Sequence, residues 1–83
     1  MLKLLVVEDH ALVREGLVRL LAQLETGAQV LDRPDFESAL ELLQSYTPQL
    51  ALLDIGLPGV DGYQLAARLR EDSRLKDLKL VAL

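Results

Sequence analysis

The sequence predicts an α/β fold, a parallel sheet with helices on both faces, and three observations carry that prediction. Short apolar runs alternate with segments of helical period, in the order β-α-β-α-β-α-β, the signature of parallel βαβ units with right-handed crossovers. The runs at 3–7 (Lys-Leu-Leu-Val-Val) and 50–53 (Leu-Ala-Leu-Leu) are close to continuously apolar, as strands buried on both faces are. Both runs stop abruptly at acidic residues, Glu8-Asp9 and Asp54.

The elements follow in order. Residues 3–7 form the first strand. Over 11–25 the period changes: Val13, Leu17, Leu20, Leu21 and Leu24 recur at helical spacing, with Arg14, Glu15, Arg19 and Gln23 between them, so an amphipathic helix with that stripe inward is expected. Gly27 is its stop. Residues 28–31 suit a second strand. Asp35 is placed to cap a second helix, whose stripe is Phe36, Ala39, Leu40 and Leu43 and whose end lies near Tyr46, before Thr47-Pro48. Residues 50–53 make the third strand. Asp61 can cap a third helix, with Gln64 as its capping-box partner and Leu65, Ala66 and Leu69 facing inward. That helix frays through 71–77, and 78–83 read as a fourth strand.

Composition narrows the function classes. Eighty-three residues allow one domain, 1–83. A chain of this length buries about 60% of its unfolded surface, so its core is small. There is no cysteine, which excludes a disulfide framework and a thiolate metal site. The net charge is −4, and the densest basic stretch (Arg68, Arg70, Arg74, Lys76, Lys79) is broken by Glu71, Asp72 and Asp77 without interleaved aromatics. No nucleic-acid binding by this segment is expected from that pattern. No apolar run approaches the ~20 residues of a membrane span, and no signal peptide is legible. A cytoplasmic protein without membrane association is the expectation.

The chemistry is concentrated where the strands end. With the first and third strands adjacent, Glu8, Asp9 and Asp54 meet at one edge of the sheet, where open α/β folds bind ligands. Clustered carboxylates repel one another, and a hard divalent cation relieves that repulsion. Mg²⁺ prefers a couple of carboxylates, a carbonyl and several waters; Asp9 and Asp54 would supply the carboxylates and Gly56 the backbone carbonyl. An aspartate beside such a cation can act as a nucleophile toward a phosphoryl group.

Glu8-Asp9 together with Asp54-x-x-Leu57-Pro58-Gly59-x-Asp61-Gly62 resembles the receiver domain of two-component response regulators. The resemblance spans the chain. It implies the flavodoxin-like, receiver-type sheet with strand order 2-1-3-4 and with the fifth strand and last two helices absent. It implies Asp54 as phosphoacceptor, Glu8, Asp9, Asp54 and the Gly56 carbonyl as Mg²⁺ ligands, and a sensor histidine kinase as phosphodonor. The product would be an aspartyl phosphate, in a signalling module rather than an enzyme. Receivers also carry a Ser/Thr at the end of the fourth strand and a Lys on the fifth. This chain ends at Leu83, so the expectation is a receiver truncated after strand four.

Rival readings are weaker. An interaction module or engineered fold fragment that keeps the receiver architecture without phosphorylation is the main alternative. Gly56, Gly59 and Gly62 do not follow the first strand and so make no dinucleotide fingerprint. An aspartate-nucleophile phosphatase would need a second Asp where Gly56 stands. His10 is expected at the start of helix one rather than as a ligand. The mostly apolar segment 78–83 is an expected site of self-association, as an unpaired strand edge.

Overall fold

The computed structural model describes residues 2–53, 67–75 and 77–82. Four strands, β1 (Lys3–Val7), β2 (Gln29–Arg33), β3 (Leu50–Leu53) and β4 (Lys79–Ala82), pair in parallel in the order β2-β1-β3-β4. That is the order expected. Helix α1 (Ala11–Leu24) connects β1 to β2, and α2 (Phe36–Leu42) connects β2 to β3. Residues 67–70 are helical and Ser73–Leu75 form a 3-10 turn before β4. These four residues are the described part of the expected third helix; Asp61, Gln64, Leu65 and Ala66 lie outside the described residues.

Register determines which residues share a face. Leu5 is level with Ala51 and Val7 with Leu53, and Ala51 is level with Leu80. Leu5, Val7, Ala51 and Leu53 join Ala39 of α2, Leu43 just past its end, and Leu69, Leu75 and Leu78 in one buried cluster. Leu69 thus faces inward, as its spacing predicts. On the opposite face Leu4 and Val6 are buried, level with Val30 and Asp32 of β2 and with Leu50 and Leu52 of β3. Exposure rises across that face from β1 outward: Val6 is 0% exposed, Leu52 is half-buried and Val81 of β4 is 41% exposed.

Helix α1 lies on this second face, against β1 and β2. Its predicted stripe needs correction, because none of its residues is buried. Val13 and Leu20 are 50% exposed and Leu24 is 69% exposed. The half-buried positions are Arg14, Leu17, Val18 and Leu21, an i, i+3, i+4, i+7 set. The sheet-facing stripe is rotated from the expected one and contains a charged residue at its first turn.

Element ends follow local hydrogen bonding. The backbone at Gly27 has a φ of +84°, a left-handed conformation that costs glycine little. It shapes the turn closed by the Ala28 N–H to Glu25 O bond, whereas α1 already ends at Leu24 with Glu25 extended, before the expected stop. Asp35 caps α2: its Oδ1 accepts from the Ser38 backbone N–H at 2.8 Å and from the Ser38 hydroxyl at 2.8 Å. These bonds hold the Asp35 carboxyl below the usual aspartate range. Helix α2 ends at Leu42, short of the expected Tyr46. The physical reason is a tightened last turn: the N–H groups of Gln44 and Ser45 donate to Glu41 O and Leu42 O, three residues back. The second strand begins one residue later than expected and continues through Asp32 and Arg33. The fourth begins at Lys79, with Leu78 buried in the core just before it.

Two side chains tie distant segments. The buried Tyr46 hydroxyl donates toward Leu4 O (3.0 Å) and Gln29 O (3.3 Å), bridging β1 and β2 near the amino end of the sheet. Burial raises the Tyr46 phenol above its ordinary pKa. Arg74 donates to Leu43 O (3.1 Å) and Gln44 O (2.9 Å), fastening the 3-10 turn to the end of α2.

Candidate acid pocket at the carboxyl end of the sheet

The first residue beyond β1 is Glu8. Its N–H donates to Arg33 O at 3.1 Å, extending the β1–β2 ladder by one step. Its carbonyl accepts from Arg14 Nη1 at 2.9 Å. The main chain is therefore held on both sides where it leaves the sheet. Glu8 is 4% exposed, and its side-chain Oε1 accepts from the His10 backbone N–H at 3.1 Å. A carboxylate this buried needs such partners.

Asp9 turns outward, with its side chain 37% exposed. His10, at the N-cap position of α1, sets its Nδ1 2.8 Å from Glu8 Oε1 and 2.9 Å from Asp9 Oδ1. Facing two acceptors, Nδ1 is the nitrogen that carries the ring proton. One atom each from Glu8, Asp9 and His10 lies within 4.8 Å of the other two. Buried Glu8 and part-exposed Asp9 present hard oxygen donors, the kind a hard divalent cation takes from a protein.

Asp54 and Gly56, the other expected site residues, lie outside the described residues. The described register leads up to them. Val7, before Glu8, is level with Leu53, the residue before Asp54 in sequence.

Two neighbours bear on the acid pair. The sequence places His10 at the start of helix one, as observed, but its contacts with both acids depend on the turn out of β1. Arg14 was counted on the polar side of α1. Its Nε donates to Asp32 Oδ2 at 2.8 Å, and its side chain is 20% exposed. A signal existed: Arg14 stands three and four residues before Leu17 and Val18, on the stripe that meets the sheet.

Known proteins match this chain in sequence and in fold. The family model for the response regulator receiver domain matches residues 4–83. The positive alginate biosynthesis regulatory protein of Pseudomonas aeruginosa is 47% identical over 72 residues, covering 84% of this chain and 29% of that protein. The response regulator GacA of Pseudomonas aeruginosa is 39% identical over 82 residues, covering 98% of this chain and 37% of its own length. The chain thus spans about a third of the length of these curated relatives. The solved complex of histidine kinase ThkA with response regulator protein TrrA contains a chain that superposes with a TM-score of 0.82 at 32% identity, covering 99% of this chain and 67% of that one.

Proposed function

The chain belongs to the response regulator receiver family, and from that premise we propose that it is the phosphoryl-accepting part of a two-component phosphorelay, with Asp54 as acceptor. The observation that carries the reading is the convergence of buried Glu8 and outward-turned Asp9 at the end of β1, one step beyond a residue level with Leu53. Chain connectivity puts Asp54 directly after Leu53.

Mg²⁺ is the proposed cofactor, with Glu8, Asp9, Asp54 and the Gly56 carbonyl as its protein partners. When bound it would neutralise charge on the phosphoryl oxygens. The chain's own part is to hold the acids in place and to provide the nucleophile. A carboxylate oxygen of Asp54 attacks phosphorus, the P–N bond of a phosphohistidine protonated on its other ring nitrogen breaks, and neutral imidazole leaves with the electron pair. The proposed donor is a sensor histidine kinase, supported by the kinase named in one solved relative's complex. The proposed setting is the cytoplasm. Among the described residues no helix is long and apolar enough to cross a membrane. The relatives' names include transcriptional regulators, so the proposed role is to pass the signal to an output outside these residues.

Incubation with Mg²⁺ and a small acyl phosphate, followed by intact mass, tests the reading. One added phosphoryl group that is lost in Asp54→Asn is the expected result. No gain in either protein would favour an unphosphorylated interaction module.

A further inference from the structure

Arg14 is a cation within reach of a pocket built to hold another cation, and its bonding resolves the conflict. Nε donates to Asp32 Oδ2 at 2.8 Å, so the guanidinium arrives already charge-balanced. Nη1 donates to Glu8 O at 2.9 Å. The Arg14 backbone N–H donates to His10 O at 2.8 Å, which closes the first turn of α1 directly behind the acid pair. Glu8 is thereby fixed by β2 through its N–H to Arg33 O and by Arg14 through its carbonyl, the carbonyl of the Glu8–Asp9 peptide. A lysine could supply the charge but not the fork that reaches a carboxylate and a carbonyl together.

We infer that Arg14, neutralised by Asp32, is a positioning residue that orients the Glu8–Asp9 peptide for divalent-cation binding. The inference rests on the acid-pocket reading above. It assigns Arg14 a geometric role, and geometry and charge predict opposite signs. If only charge mattered, removing the guanidinium would strip a repulsive cation from the pocket and tighten Mg²⁺ binding. If Arg14 positions the peptide, removal weakens binding, as loss of outer-shell partners does at metal sites by about tenfold or more.

Mg²⁺ titration of the 83-residue chain by calorimetry, with circular dichroism to confirm folding, separates the two. Arg14→Met is expected to raise the Mg²⁺ dissociation constant about tenfold. The charge-balanced double variant Arg14→Met with Asp32→Asn is expected to be equally weak, because restoring neutrality does not restore the fork. Arg14→Lys keeps the charge and a long stem, and is expected to fall with the other two. It also serves as the test if Arg14→Met does not fold. Tighter or unchanged binding in the folded variants would overturn the inference while leaving the acid pocket intact. Absence of Mg²⁺ binding by the unsubstituted chain would instead overturn the acid-pocket reading, and this inference with it.

Discussion

The two faces of the sheet are made of similar residues and are buried very differently. On one, Leu5, Val7, Ala51 and Leu53 meet α2 and the segment around Leu69, Leu75 and Leu78, and all are nearly inaccessible. On the other, Leu4 and Val6 are buried under α1, but Leu50 and Leu52 are half-buried and Val81 is open. Helix α1 carries five leucines yet buries none of them fully. Hydrophobic composition therefore does not determine burial; the number of elements that reach each strand does. The acidic residues sit at the end of β1, which among the described residues is the strand buried most fully on both faces.

Substitutions can break or sharpen this contrast. The largest effect is expected from Leu5→Ala in the covered cluster, a loss of about 2–5 kcal/mol that would unfold most of so small a chain. Leu20→Ala on α1, half exposed, is expected to stay within about 0.5 kcal/mol of the unsubstituted protein. Urea unfolding measures both, and comparable losses would refute the asymmetry.

Tyr46→Phe comes next. It removes a buried hydroxyl from two strand carbonyls and should cost about 1–2 kcal/mol. Its pH dependence is also specified. The folded state raises the phenol's pKa, so this contribution is complete below about pH 10 and is lost as pH rises through the folded value. The phenylalanine variant should lose less stability over that alkaline range.

A smaller loss is expected for Asp35→Ala at the start of α2. The folded-state pKa of Asp35 is lowered, so its contribution is present above the ordinary carboxylate pKa and disappears as pH falls through the lowered one. Thermal melts at neutral and strongly acidic pH should differ between the two proteins only at neutral pH. Smallest in stability is Val81→Lys, at the exposed end of the thinly covered face. It should leave the melting midpoint almost unchanged while reducing self-association, the behaviour proposed for segment 78–83, in light scattering. An unchanged mass distribution would remove β4 from that proposal.

Much of the fold could be read from residues alone, for reasons that particular elements make plain. The strands at 3–7 and 50–53 were legible because continuous apolarity admits little else between turn signals. The order of strands came with the family resemblance. Orientation of α1 was not legible: its leucines and valines surround much of the helix, so two stripes sharing Leu17 and Leu21 fit equally well, and contact with β2 decides between them. The early end of α2 depends on three-residue hydrogen bonds that no single residue type announces. At the site, Glu8 and Asp9 stood out as acids closing an apolar run. The role inferred for Arg14 could not be read, because it exists only once β2 lies beside β1 and brings Asp32 within reach.

The pairing of β1 with β3 has a consequence for how the molecule assembles. At its start the Lys3 N–H donates to Gln49 Oε1 and the Gln49 N–H donates to Lys3 O, across 46 positions of chain. Contacts so distant in sequence require long loops to close first and form slowly. The helices and the turn at Glu8–His10 can form locally, whereas the β1–β3 pairing that completes the sheet is a non-local step. A partly folded chain would carry most of its secondary structure while β3 still awaits its place beside β1, and β4 its place beside β3.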